Sequence, residues 1–464
     1  MIRRALPRLL ASLAIVLPCF WQARIQAGDL GSHIYNAWLA QLIAAGRAPG
    51  LVTVPQTTNV LFDWMLKLLL DAFGVGVAQR AAVSLAVLVF VWGAFAFVCR
   101  TAGRVAWHLL PVIAVLSYGW VFRMGLFNFY IALGLCFWAL ALRRPAVVVP
   151  LLALAYVAHG MPVAWAVALL GYEWLAERMD ARRRMFLLAA AMAAIVLARV
   201  VLQSVWKTVW FTQQFSATVA IDQIWIYGSK YMLLAGAVLF CWGLPVAGWM
   251  RDKGAREAIA SVPFQICALT AAGILILPDW IRIPGYHHAL VFLAERMALA
   301  LGVCICALVS GVAAGRGIRI AMAAIALVFF AFSYTDEAKL NALEDQMDAL
   351  VAQLPPGQRV VSAVMDLNVP TNPTTHMIDR ACVGRCFSYG NYEPQSAQFR
   401  IRIAGDTPLV VTRDADEIAL ETGAYIVKER DLPLYQVTAL PNGTLEIHPL
   451  AAGQKTGITP WNGL

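Results

Sequence analysis

Along the chain, apolar runs of roughly twenty residues alternate with short polar breaks, the spacing that a hydrocarbon layer of about 30 Å demands of helices. Such runs lie near residues 7–25, 81–99, 105–121, 126–142, 145–158, 161–177, 185–204, 230–250, 259–277, 297–314 and 319–334, and they predict eleven membrane-crossing helices. Residues 28–80 break the pattern. In QAGDLGSHIYNAWLAQLIAAGRAPGL, Gln26 to Leu51, helical spacing puts Asp29, His33 and Asn36 on one face and Leu30, Ile34, Trp38 and Leu42 on the other. This predicts an amphipathic helix lying on a membrane surface. It begins at Asp29, where the helix dipole favours a carboxylate, and is stopped by Gly46 and Pro49. A second interfacial helix is predicted over Phe62 to Phe73, with Asp63, Lys67 and Asp71 in a single polar stripe. Two such helices in one loop would frame a lateral entrance for a lipid.

After residue 334 the pattern changes. Thr335 is placed to cap a helix with Asp336 and Glu337 in its first turn, and Leu340, Leu343, Met347, Leu350 and Leu354 form an apolar seam that Pro355-Pro356-Gly357 ends. Strand-like runs follow at Arg359 to Met365, Pro408 to Thr412 and Ala424 to Lys428, and YQVTALPNGTLEIHPL reads as a hairpin around Asn442-Gly443. The expected fold is an all-α polytopic membrane domain, residues 1–334, followed by a small extracytoplasmic α/β domain, residues 335–464.

Composition supports the membrane reading and excludes an ordinary soluble globule: 61% of the 464 residues are hydrophobic and the mean hydropathy is +0.68. The net charge of +9 is a topology signal, not a nucleic-acid patch. Arg3, Arg4 and Arg8; Arg100 and Arg104; Arg143 and Arg144; Arg178 and Arg182 to Arg184; Arg251, Lys253 and Arg256; and Arg316 and Arg319 fall in alternate short loops. The positive-inside rule assigns those loops to the cytoplasm. The N-terminus is then cytoplasmic, and the first long loop and everything after Tyr334 lie outside, as in a multi-pass protein of a bacterial inner membrane. The first apolar run lacks a small-residue cleavage site, so it reads as an uncleaved first span. Seven of the nine cysteines fall in or beside apolar runs; Cys382 and Cys386, in RACVGRCF, are expected to form a local disulfide in an oxidising compartment.

Sorted by predicted side, the ionisable residues collect on the outer face: Asp29, His33, Arg123, His159, Asp222, Lys230, Asp279, Arg282, His287, His288, Glu295 and Arg296. Charged groups at membrane depth are costly and usually serve a site. Arg123 reads equally as an anchor in an aromatic belt, His159 as a histidine satisfied in a tight turn, and Glu295-Arg296 as an interfacial ion pair or as a phosphate site, since guanidinium matches phosphate oxygens. His287 and His288, with Asp29 and His33, show no metal-ligand spacing, so the sequence supports no zinc site there, and no motif demands a cofactor. In NYEPQSAQFRIRI, Tyr392, Glu393, Arg400 and Arg402 are expected to pack on the membrane domain more than to touch substrate.

A cytoplasmic first span, an outer loop that opens with GDLGSHIYNAWL, about eleven spans and an outer C-terminal domain together resemble the C-type glycosyltransferases, which include protein mannosyltransferases and lipid A aminoarabinose transferases. The stretch from His287-His288 to Glu295-Arg296 is similar, more faintly, to a His/Glu/Arg loop motif of some mannosyltransferases. The resemblance implies a polyprenyl-phosphate sugar as donor, a glycan, lipid or protein as acceptor, Asp29 as general base with His33 beside it, and Arg296 for the leaving phosphate. Many members carry two adjacent acids after the first span. Here Leu30 follows Asp29, which leaves a divalent metal in doubt. The rival expectations are a transporter or lipid flippase, which would carry its polar groups nearer mid-bilayer, and a non-catalytic scaffold of the same architecture.

Overall fold

Helices that are apolar on every side have no stripe to present to water and must be covered by lipid or by other helices. The computed structural model follows that rule. It describes residues 2–285, 287–312, 314–396 and 398–464, with the side chains of residues 2–5, Arg3 and Arg4 among them, outside the described set. The helices in chain order are α1 (Ile2–Val16), α2 (Leu30–Ala44), α3 (Leu61–Phe73), α4 (Val75–Ala102), α5 (Leu110–Ser117), α6 (Trp120–Arg123), α7 (Phe127–Leu142), α8 (Pro145–Ala158), α9 (Gly160–Ala176), α10 (Ala181–Val205), α11 (Gln214–Ala217), α12 (Lys230–Lys253), α13 (Ala255–Ile259), α14 (Val262–Ile276), α15 (Leu293–Ser310) and α16 (Arg316–Val351). Five of these, α4, α10, α12, α15 and α16, are long and apolar enough to cross a membrane, and α7, α8, α14 and the Leu6–Cys19 segment are shorter apolar helices. The expected span at 105–121 is broken instead. Its chain turns at Gly119, where an added Cβ would come within 2.1 Å of the Gln223 carbonyl.

The helical body packs around α4, which touches α3, α7 and α15. By contrast α10 has no fully buried residue: Leu188, Met192 and Ile195 lean on α14, and the rest of its apolar surface is available to lipid.

Three short helices, α17 (Met377–Cys382), α18 (Glu393–Ser396) and α19 (Asp414–Glu421), belong to the C-terminal part. The strands are β1 (Leu51–Thr53), β2 (Lys207–Val209), β3 (Trp280–Arg282), β4 (Arg359–Ser362), β5 (Val364–Met365), β6 (Phe387–Ser388), β7 (Ile401–Ile403), β8 (Leu434–Ala439), β9 (Leu445–Pro449) and β10 (Thr459–Pro460). The main sheet runs β6-β4-β8-β9, with β4 parallel to both neighbours and β8-β9 an antiparallel hairpin in which Ala439 faces Leu445. Gly443 takes the positive φ, +82°, that the hairpin turn requires. Residues 408–412 and 424–428 form no strand. Val411 makes one bond to the Tyr389 carbonyl, and residues 425–427 meet 453–456 through three backbone bonds and one isolated bridge, Ile426 to Lys455, too short a pairing to extend into a ladder. Cys382 and Cys386 are disulfide-bonded, S–S 2.02 Å.

Two features tie the C-terminal part to the helical body. β1, from the first long loop, pairs antiparallel with β7, Val52 opposite Arg402. And α16 is one helix of 36 residues that runs from the apolar body into the C-terminal part without a break. Thr335 therefore caps nothing: its hydroxyl donates to the Phe332 carbonyl inside the helix. Asp336 and Glu337 serve as ion-pair partners instead of first-turn acids, Asp336 to Lys230 at 2.6 Å and Glu337 to Arg123 at 2.6 Å.

Candidate functional site

The α2 helix is not a surface helix. Ten of its fifteen residues are buried, on both faces, with Leu30, Ile34 and Asn36 all fully covered. It is packed between α3 and α17. Gly31 makes this possible: a Cβ there would lie 2.1 Å from the His376 carbonyl. Asn36 and Asn391 exchange side-chain hydrogen bonds of 3.2 and 2.8 Å, and the amide of Ser388 donates to the Tyr35 hydroxyl.

Asp29 sits at the N-cap position of α2 but makes no capping bond. Backbone bonds fix it: the Gly28 and Asp29 amides donate to the Arg123 and Met124 carbonyls at 2.7 and 2.9 Å. Gly125, at φ +81°, leaves room for that approach, since a Cβ would fall 2.5 Å from the Asp29 amide nitrogen. The carboxylate keeps 27% of its side-chain surface exposed and lies 3.5 Å from His376 Nε2. The other ring nitrogen, Nδ1, is 2.8 Å from Asp379, whose second oxygen accepts from Ser388 Oγ at 2.5 Å. Burial works against a charged ring here, but the bond and charge of Asp379, and then the charge of Asp29, carry His376 up to about 9. Its imidazolium at neutral pH faces Asp29.

His33 does not join Asp29. Its Nδ1 is 2.8 Å from Asp63, whose other oxygen accepts from Asn128 Nδ2 at 2.8 Å, with Arg400 at 3.6 Å. Burial opposes both charges, yet the pair holds the His33 ring above its usual range and Asp63 down at about 2. Asp63 is thus buried inside the protein and does not lie on a polar stripe in an interface, whereas Lys67 and Asp71 do pair on the surface at 2.5 Å. Next to them, burial pushes Glu393 up to about 7 against the pull of Arg400. Tyr392 stands over this cluster, 5.4 Å from the His376 ring, and burial plus the charge of Asp29 holds its phenol well above the ordinary range.

Arg296 is in the first turn of α15. Its one side-chain hydrogen bond among the described residues is to His159 Nε2 at 3.4 Å, and its Nε has no partner. His159 caps α9 by accepting the Met161 amide at Nδ1, 3.2 Å. A neutral imidazole accepts at only one nitrogen, so with the cap in place Nε2 carries a proton and offers Arg296 nothing. Beside it, Glu295 Oε2 is unpartnered, and Asp279 accepts the Ala294 amide at 2.7 Å. The charges that Arg296 feels most include Asp29 and Asp279.

Three of the expected substrate contacts lie elsewhere. Arg123 is fully buried and consumed: Nη1 donates to the Gln26 carbonyl at 3.1 Å, and Nη2 meets Glu337 at 2.6 Å and the Ser333 hydroxyl. It is neither a belt anchor nor a free cation. His287 is a tie between segments, with its amide on the Ser396 carbonyl at 3.1 Å and Nδ1 at 2.5 Å from the Gln395 carbonyl. His288 turns away toward Asp414, 2.8 Å. The residue that sequence reasoning missed is His376; the available signal was the His-x-x-Asp spacing just ahead of α17, too common alone to stand out.

A cavity of about 70 Å³ opens beside this cluster, lined by His376, Asp379, Ser388, Tyr392 and Glu417 among others. No protein-family model, no curated protein and no solved structure matches the chain.

Proposed function

We propose that this chain is an integral-membrane glycosyltransferase that moves a sugar from a polyprenyl-phosphate donor to an acceptor hydroxyl. On this reading it is a multi-pass protein of a bacterial inner membrane, with a cytoplasmic N-terminus and a periplasmic C-terminal part; the four shorter apolar helices join the five long ones for about nine crossings, fewer than the eleven expected. One observation carries the reading. Asp29 is a partly exposed carboxylate beside His376 at the edge of an otherwise buried polar cluster, and Arg296, near enough to feel its charge, is short of hydrogen-bond acceptors.

In the proposed step Asp29 takes the proton of the acceptor hydroxyl, the hydroxyl oxygen bonds to the anomeric carbon, and the bond from that carbon to the phosphate oxygen breaks with its electrons leaving on the phosphate. Arg296 stabilises the charge that develops there. His376 acts as a positioning residue that orients the Asp29 carboxylate. His33, bound to Asp63, has no direct part.

A non-catalytic scaffold is the second reading, and the cavity favours it: about 70 Å³ is well under the several hundred Å³ of ordinary ligand pockets. On the transferase reading the cavity must therefore widen to admit the donor. The deciding experiment is transfer of a labelled sugar from a polyprenyl-phosphate donor by the chain reconstituted in lipid. Asp29→Asn is expected to abolish transfer while keeping membrane level and melting temperature; normal transfer by that variant would sink the proposal, and absence of transfer with every donor would leave the scaffold.

A further inference from the structure

Away from Asp29, three side chains converge from two parts of the chain. His288 comes from the loop between β3 and α15, and Asp414 and Glu417 come from α19, where their spacing of three puts both on one face. His288 Nε2 lies 2.8 Å from Asp414 Oδ1 and 3.4 Å from Glu417 Oε2, and all three atoms fall within 4.8 Å of one another.

Among the described residues none of these three atoms has a hydrogen-bond partner, although each is shielded from solvent. The 2.8 and 3.4 Å separations are ion-pair distances without hydrogen-bond geometry, so each donor atom is left free for a further partner. Glu417 is 3% exposed, so its oxygen has no water to turn to. The nearby cations are engaged elsewhere: Arg413, Lys428 and Arg430 with Asp416, and His376, whose charge also reaches Glu417, with Asp379. Tetrahedral zinc with ligands at about 2.0–2.1 Å spaces its donor atoms roughly 3.3 Å apart, which the 2.8 and 3.4 Å separations bracket.

We propose that His288, Asp414 and Glu417 bind a divalent first-row transition cation, zinc foremost, that staples the loop ahead of α15 to α19. One imidazole with two carboxylates suits such an ion and not calcium or magnesium, which take all-oxygen shells. Three protein ligands leave a fourth position for water. Glu417 also lines the cavity beside His376, but the ligands include none of the residues assigned to transfer.

The test uses the full chain in detergent, stripped with chelator and then given one equivalent of Zn²⁺ or Co²⁺. The expected result is about one zinc retained per chain after desalting, the visible bands of four-coordinate cobalt, and a melting temperature that rises with metal. Glu417→Gln and His288→Asn each weaken binding by at least ~100-fold, beyond the roughly 10–100-fold of outer-sphere changes, and His448→Asn does not. Should Glu417→Gln fail to accumulate, Asp414→Asn takes its place. Asp29→Asn keeps its zinc, so the metal site and the transferase reading stand or fall separately. Absence of stoichiometric metal, equal binding by the ligand variants, or displacement by millimolar Ca²⁺ or Mg²⁺ would overturn the site.

Discussion

Arg123 and Arg296 show how one side chain serves two purposes in one protein. Around Arg123 the chain supplies Glu337, Ser333 and the Gln26 carbonyl, and the guanidinium has no exposed surface. Around Arg296 it supplies one histidine that is already occupied as a helix cap. Both leave Nε without a partner, so the difference lies in the terminal nitrogens. A charge that is buried and matched holds elements together; a charge that is sheltered and unmatched is stored for something that arrives. Arg123 locks the N-terminal turn, the α5–α7 connection and α16 to one another, while Arg296, in the first turn of α15, meets only His159 among the described residues.

The sharpest way to break that comparison is to unpair Arg123. Glu337→Ala leaves the guanidinium buried and uncompensated, at a cost of about 3–5 kcal/mol, and the expected outcome is loss of folded protein in membranes by fluorescence-detected size exclusion. Next in size, Asp29→Asn is expected to lower sugar transfer by about 10³-fold or more with an unchanged melting temperature, within the range for removal of a general base. Arg296→Met is expected to lower transfer about 10²-fold while stability holds or rises, because the charge it removes had no full partner. If Arg296→Met unfolds the protein as Glu337→Ala does, the contrast between the two arginines fails.

Smaller effects sharpen the site. His376 is raised to about 9, so its ion-pair stabilisation is fully present below the unfolded value near 6.5 and is lost as pH rises through about 9. A melting series from pH 6 to 10 should fall across that window by about 3 kcal/mol, and His376→Gln should flatten it. At the low end, Lys67→Ala removes an exposed i,i+4 pair with Asp71 and should change stability by less than about 0.5 kcal/mol in the same assay.

The hairpin at 434–449, the stop of α2 after Ala44, the helix over 61–73 and the local disulfide were all legible from short-range pattern. Each depends on contacts within a few residues. The same reading put His33 beside Asp29, Arg123 at a membrane interface and Thr335 at a helix start. All three depended on partners far along the chain: Asp63 on the next helix, Glu337 more than two hundred residues on, and a helix that had already begun at Arg316.

What the sequence by itself determined is the amount and spacing of apolar surface, and from that a helical membrane-type body, a sheet-bearing C-terminal part and a carboxylate at the head of a helix. These follow from local periodicity, which needs no knowledge of neighbours. Only the tertiary structure decided which charges are spent and which are spare. That choice is made when burial strips water from every polar group at once and each must find whatever partner the packing brings within about 3 Å. His376 meets Asp29, and His288 meets Asp414 and Glu417, across separations of more than one hundred residues that no periodicity spans.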